Sequence, residues 1–198
     1  MKKIVCLLII VLVYSCHKKK NIEKNLSLIP YIISAEDRKL KEYTDSLNLY
    51  RAETIVLPRK GFYGESNLII DKKGEIYYYQ KRYIQIICNY GTENDTLPQF
   101  LDLQPKDLIK IPIESLEKIV NENVMKKPNN RRILIIASEK DTIKVKGFLK
   151  FYYNLKVPTY FIRRTTQEED TVLHYKRTDK YYYSNKIKWD KSKIKFRD

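Results

Sequence analysis

Catalysis needs nucleophiles, bases or metal ligands that can be brought together, and this chain offers few of them. His17 and His174 are its two histidines, so neither an H-E-x-x-H zinc site nor a paired-histidine metal site can be assembled. There is no G-x-S-x-G elbow and no G-x-x-x-x-G-K-S/T phosphate loop. Glu168, Glu169 and Asp170 could hold a cation or act as an acid and base pair, but three adjacent acids in QEED read as a solvated turn joining two strands. His174, between Leu173 and Tyr175, reads as a structural residue of the second of those strands. Cys88 lies in the apolar and aromatic stretch YIQIICNY and reads as a small buried hydrophobe, not a nucleophile. No cofactor and no metal are expected, and a hydrolase would have to draw its carboxylates together through folding.

Binding chemistry is better represented. From His174 onward, HYKRTDKYYYSNKIKWDKSKIKFRD carries nine Lys or Arg against three Asp, with six aromatic rings between them. Ammonium and guanidinium groups pair with phosphate or carboxylate, and flat rings stack on sugar faces or bases, so such a segment suits an anionic, ring-bearing polymer. The candidate binding residues are Lys176, Arg177, Lys180, Tyr181, Tyr183, Lys186, Lys188 and Trp189. The same pattern also suits an edge strand whose tyrosines alternate and whose lysines keep the edge soluble, with Trp189 as a packing anchor.

The opening residues, MKKIVCLLIIVLVYSC, set two lysines before an apolar run from Ile4 to Val13 and close on Val13-Tyr14-Ser15-Cys16. This layout resembles a bacterial lipoprotein signal peptide, with Tyr14 larger than the family usually carries before the cysteine. The resemblance implies cleavage before Cys16 and lipid attachment to its sulfur. About ten apolar residues are half of the ~20 a membrane-spanning helix needs, which fits a leader better than a permanent anchor. Residues 1–15 are then the signal peptide, 16–33 a lipidated start and polar linker, and 34–198 a single domain. Sequences that direct some lipoproteins outward are acidic just after the cysteine, whereas HKKKNIEKN after Cys16 is basic. The expected address is the cell envelope, on the outer membrane facing the periplasm.

Composition adds a charge argument. The formal net charge is +15, and it becomes +13 once Lys2 and Lys3 leave with the leader. A field of that size favours anionic partners before any specific contact forms. Peptidoglycan, anionic lipid or a protein partner fit an envelope address, and nucleic acid does not. Abundant Lys, Ile, Asn and Tyr also follow from AT-rich coding, an alternative source of the same basicity. Loss of Cys6 and use of Cys16 leave Cys88 as the lone thiol, which excludes an internal disulfide.

The elements that must position these residues follow from periodicity. A helix is expected from Ser34, with Ser34 as cap and Leu40, Tyr43, Leu47 and Tyr50 on its packing face. NLIIDKKGEIYYYQ reads as a hairpin around an Asp71 to Glu75 turn with Gly74, and 91–105 as a loop. LIKIP is a short strand, and IESLEKIVNENVMKK a helix with Ile113, Leu116, Ile119, Val120 and Val124 on one stripe. RRILIIAS is a central strand, KVKGFLKFYYNL a helix despite Gly147, and TYFIRRTT and DTVLHYKR two further strands. The fold class expected is α+β, a two-layer sandwich with helices packed on one face of a mixed sheet.

The order LIIDKKGEIYYY, ESLEKIVNENV, RRILIIASEKDTIKVKGFLKFYYNLKV and a closing strand resembles the periplasmic domain of the ExbD/TolR family. Asp71 and Gly74 match its turn, and Ala137, Ser138 and Asp141 match loosely where the family carries Ala and Asp. The segment from Ile4 to Tyr14 lacks the acidic residue of that family's membrane helix, so its proton-driven role does not carry over. The leading expectation is a membrane-tethered, non-enzymatic binding or assembly protein. A protective immunity or inhibitor lipoprotein is the alternative.

Overall fold

The computed structural model describes residues 29–50, 62, 64–82 and 97–196. The signal peptide, Cys16, most of the linker and Cys88 lie outside the described residues. The centre of the fold is a hairpin whose turn is written into its side chains. Strands β2 (Ser66–Ile70) and β3 (Ile76–Gln80) pair antiparallel. Between them Asp71 Oδ1 accepts from the backbone N–H groups of Lys73 and Glu75, each at 2.8 Å. Gly74 adopts φ +86°, where an L side chain is strained, and a Cβ there would also strike Val145.

Around this hairpin the sheet runs β4-β3-β2-β5-β7, with β4 at Ile109–Ile111, β5 at Ile133–Ser138 and β7 at Thr159–Arg164. β2, β5 and β7 are parallel to one another, whereas β3 and β4 complete the sheet antiparallel. ILIIAS takes the central place its continuous apolar run implies, buried on both faces. A separate pair joins β1 (Tyr31–Ile32) to β6 (Thr142–Ile143). The folded body therefore takes in Tyr31 to Ile33, at the end of the composition-based linker, because Ile33 is buried and its N–H donates to Asp141 O at 2.9 Å.

Strand alternation divides the core in two. Leu68, Ile70, Ile76, Tyr78, Leu134 and Ile136 face one side. There they meet α2 (Leu116–Val120), extended by a 3-10 turn before it and a wide π turn over Asn121–Met125, and α3 (Lys146–Tyr153). Leu116, Val120 and Val124 form the buried stripe, as expected, and Ile113 and Ile119 flank it. Gly147 lowers helix propensity, yet a Cβ there would run into Ile113, so glycine is what lets α3 approach α2. The class is α+β with a mixed sheet, and these two helices form the expected layer on one face.

A further layer covers the opposite face. Residues Gln167–Thr178 form a helix, α4, not an acidic turn followed by a strand. Thr166 caps it: Glu169 N–H donates to Thr166 Oγ1 at 3.2 Å, and Thr166 N–H donates to Glu169 Oε2 at 2.8 Å. The acids of QEED occupy the first turn, and Lys176 and Arg177 the last, each at the end whose partial charge it complements. Glu168, Glu169, Val172 and Leu173 are the buried four. That is helical spacing, concealed in the sequence because half the stripe is glutamate. Val172 and Leu173 pack on Ile69, Tyr77, Tyr79 and Ala137.

Helix α1 (Ile33–Asn48) also departs from expectation. The stripe Leu40, Tyr43, Leu47, Tyr50 does not form its packing face: Leu40 and Tyr43 are 53% and 61% exposed, and Tyr50, beyond the helix end, is 89% exposed. Ile33 and Thr44 are buried instead. The helix is held at its start, where Asp141 accepts from Ser34 N–H at 3.0 Å and Ser34 Oγ at 2.6 Å, so the cap comes from another loop. Among the described residues no helix is long and apolar enough to cross a membrane.

Removing the cap of α4 should be felt globally, because that helix covers a whole sheet face. Thr166→Ala is expected to cost about 1 kcal/mol, read as a lowered urea midpoint with unchanged slope.

Candidate functional site

The C-terminal segment forms an exposed basic and aromatic surface, held from beneath. After α4 the chain turns at Asp179 (φ +51°) and runs extended, so successive tyrosines point opposite ways. Tyr182 is buried and meets Tyr175 of α4 edge to face at 5.3 Å. Tyr181 and Tyr183 point outward with ring centroids 4.1 Å apart, and Lys186 Nζ lies 4.2 Å from the Tyr183 ring centre. The tyrosines alternate as an edge strand would make them, yet the described residues of this segment pair in no sheet beyond a bridge of Lys195 to Gln99.

The candidate binding residues therefore separate into two groups. Lys180, Tyr181, Tyr183, Lys186 and Lys188 are exposed together. No acidic side chain among the described residues pairs with any of these three lysines. Arg177, Trp189 and Lys176 are elsewhere engaged or half-buried. Arg177 donates to Glu139 at 2.6 and 3.2 Å and approaches Asp71 Oδ2 at 3.4 Å. Trp189 is a packing anchor, edge to face with Phe100 at 5.1 Å and donating Nε1–H to Ser184 O at 3.0 Å. Lys176 is half-buried on α4. His174 is an exposed helical residue whose ring meets Tyr175, in place of the expected strand position.

The acids form two internal constellations. Glu168 and Glu169, expected in a solvated turn, are each 1% exposed. Glu169 is gripped by Arg163 at 2.7 and 2.9 Å and by the Tyr79 hydroxyl at 2.7 Å. Burial opposes its charge, but the Arg163 guanidinium and these hydrogen bonds outweigh burial and hold its carboxyl below the usual range. Arg163 Nε, Gln167 Oε1 and Tyr182 OH are buried without a hydrogen-bond partner among the described residues.

Among the described residues Glu168 forms no ion pair, and Lys81 acts on its charge only as a minor influence. Its oxygens accept from the N–H groups of Leu101 at 2.8 Å and Leu103 at 2.7 Å. Asp102 between them is left-handed (φ +51°), which curls the loop into a small anion-holding nest around the carboxylate. Burial pushes Glu168 up to about 7 despite those two donors. The sequence held a signal for this pair: T-x-x-E in Thr166 to Glu169 is a capping box.

The second constellation sits outside the carboxyl ends of the parallel strands. Asp71 follows β2 and Glu139 follows β5, and both face Arg177. They line a cleft of about 950 Å³, the arrangement of close carboxylates a hydrolase would require. Their chemistry differs from that requirement. Asp71 is tied to its own turn, and Glu139 also accepts from Lys72 N–H at 2.8 Å. Burial raises the Glu139 carboxyl, but Arg177 and Lys72 overcome it and leave a net depression. Glu139, ion-paired and depressed, is not placed to be the protonated acid that glycoside hydrolysis uses.

Comparisons with protein-family models, curated proteins and solved structures give no match to this chain.

Two outcomes follow from the buried acids. Arg163→Ala leaves Glu169 charged and uncompensated, with an expected loss of about 3–5 kcal/mol in denaturant unfolding. Glu168 works in the opposite sense. Below about 4.5 its carboxyl is protonated in folded and unfolded chains alike; as pH rises towards about 7 the unfolded chain ionises first, so the folded state loses stability. Glu168→Gln removes that loss. Its stability relative to the native chain should climb by on the order of 3 kcal/mol between pH 4.5 and 8, above a constant cost for the lost acceptor.

Proposed function

We propose that this chain is a membrane-tethered lipoprotein of binding or assembly type, facing the periplasm and contacting an anionic envelope polymer through its C-terminal surface. The reading rests on one observation above the others. Tyr181 and Tyr183 stand outward as a pair, Lys186 lies on one ring, and Lys180 and Lys188 of the same segment are exposed. The segment that carries these rings is anchored by Tyr182 on Tyr175 and by Trp189 on Phe100, so less freedom is lost on contact, and the exposed ammonium groups supply charge for phosphate or carboxylate. Peptidoglycan, which alternates sugar faces with carboxylates, matches that pairing of ring and cation.

The tether is the second half of the proposal. Lipid on Cys16 would hold the body at a membrane, since two or more acyl chains make attachment lasting where one is marginal. The polar residues after Cys16 would act as a solvated linker. The order of hairpin, helix, strand, helix and strand in the body supports a likeness to the ExbD/TolR periplasmic domain at the level of arrangement only.

Two measurements test these halves separately. Soluble protein beginning after Cys16 should cosediment with purified peptidoglycan in a salt-sensitive manner, and Tyr181→Ala/Tyr183→Ala/Lys186→Ala should weaken that binding about tenfold while leaving the unfolding midpoint unchanged. Cosedimentation unaffected by the triple variant defeats the surface assignment. For the tether, membrane-extracted protein should have the intact mass of a triacylated or diacylated chain starting at Cys16, and Cys16→Ser should remain unlipidated. A native product that keeps Met1 defeats it.

A further inference from the structure

The cleft at the carboxyl ends of β2, β5 and β7 has a charge balance that its acids conceal. The β2 to β3 turn brings Lys72 and Lys73 to it, the stretch between β5 and α3 brings Lys140 before β6 and Lys144 after it, and β7 ends there with Arg164. Its acids are Asp71, Glu139 and Asp141. Each is already engaged: Asp71 by its own turn and Arg177, Glu139 by Arg177 and Lys72 N–H, Asp141 by Ser34. Arg177 stands outside the lining but neutralises acids within it. The cations are not balanced in the same way. Lys72 Nζ reaches Glu139 only at 3.8 Å, and Lys73, Lys140 and Lys144 have no ion-pair partner among the described residues.

We propose that this cleft binds a phosphate-bearing anion. Lysine ammonium groups act as point charges with rotatable donors, suited to a compact, multiply charged phosphate. The two loops carrying them are fixed before a ligand arrives. Asp71 and Gly74 set one turn, Gly74 abuts Val145 of the other loop, and Arg164 donates to the carbonyls of Ser138 and Glu139 at 3.2 and 2.6 Å. Ile70, Ile113 and Ile143 provide an aliphatic floor, which strengthens charge interactions beside it. Among the described residues no aromatic ring lines the cleft, so none of them stacks there on a base or sugar. Ligands of open sheets commonly sit outside the carboxyl ends of parallel strands, and this cleft occupies that position.

Such a phosphate could come from solution or from a lipid headgroup. α3 starts at Lys146, beside the cleft, and at its far end Tyr153 OH donates to Ile29 O at 3.4 Å. The N-terminal chain also passes the cleft, since β1 pairs with β6 and Ser34 bonds Asp141, so the two arms of the test, and not chain direction, distinguish a phosphate in solution from a headgroup. The inference does not require lipidation or the C-terminal surface.

Calorimetric titration of soluble protein with inorganic pyrophosphate, and flotation with phosphatidylglycerol vesicles, test the two sources. Lys73→Ala/Lys140→Ala/Lys144→Ala alters three exposed side chains that make no internal ion pair, and Lys180→Ala/Lys188→Ala serves as the control. Saturable pyrophosphate binding weakened about tenfold or more by the cleft variant, and unchanged by the control, is the expected result. Vesicle binding lost in the cleft variant alone would keep the site and assign its phosphate to lipid. Binding of neither probe, or binding that the cleft variant leaves intact, overturns the proposal, and leaves the peptidoglycan result untouched.

Discussion

One carboxylate decides whether the second face of the sheet is covered. Glu169 takes two hydrogen bonds from Arg163 on β7 and one from Tyr79 on β3. Those strands are three places apart in the sheet, roughly 14 Å at the usual strand spacing. Arg163 crosses towards the middle above Ala137, its register neighbour on β5, whose methyl group leaves room for the guanidinium. Glu169 thereby fastens α4 to both sides of the sheet at once, and the same residue completes the cap of that helix. A buried charge pair of this kind adds little net stability over an apolar equivalent, but breaking it leaves a charge without solvent or partner. Its contribution is to fix where α4 sits.

Placement of α4 governs the rest of that face. Glu168, next in sequence, can reach the 101–103 loop only when α4 is seated, and its carboxylate then holds two backbone N–H groups that have curled around it. The loop in turn exchanges backbone hydrogen bonds with the end of the chain, Phe100 N–H to Lys195 O at 2.7 Å and Lys195 N–H to Pro98 O at 2.9 Å. Phe100 packs between Trp189 and Phe196. Buried carboxylates, a left-handed loop and an aromatic cluster thus lie in series beneath the exposed tyrosines.

The helices of the first face were legible because their stripes are made of Ile, Leu and Val, and the hairpin because Asp71 and Gly74 are suited to its turn. α4 was not, since its inward stripe begins with two glutamates and hydropathy reads charge as solvent-facing. Only the polar spacing from Thr166 to Glu169 marks it, and that signal says helix start without saying burial. α1 failed in the reverse direction: its apolar residues have helical spacing, but the tertiary hold is through Ile33 and Asp141 at its first turn. The candidate surface was legible as composition, whereas the division between exposed Lys180 or Tyr183 and engaged Arg177 or Trp189 depends on contacts as far as 89 and 106 positions away.

Those distant contacts also determine the sign of the outer surface. Asp71, Glu139, Glu168 and Glu169 are among the buried polar residues, whereas most lysines of the described body stand exposed. Folding draws negative charge inward, where arginine or backbone N–H groups meet it, and leaves ammonium groups on turns and on the C-terminal segment. Charge that is neutralised at short range contributes little field outside, so the outer potential is set mainly by cations without close acidic neighbours. Two such groups lie on different parts of the fold, one flat and ring-bearing at Tyr181 and Tyr183, the other concave and aliphatic at the carboxyl ends of the strands. The flat one offers stacking as well as charge and suits an extended polymer; the concave one offers charge converging from two fixed loops and suits a compact anion. If both proposed sites bind, the same excess of lysine, distributed over two shapes, would discriminate between two anions that a net charge of +15 would attract alike.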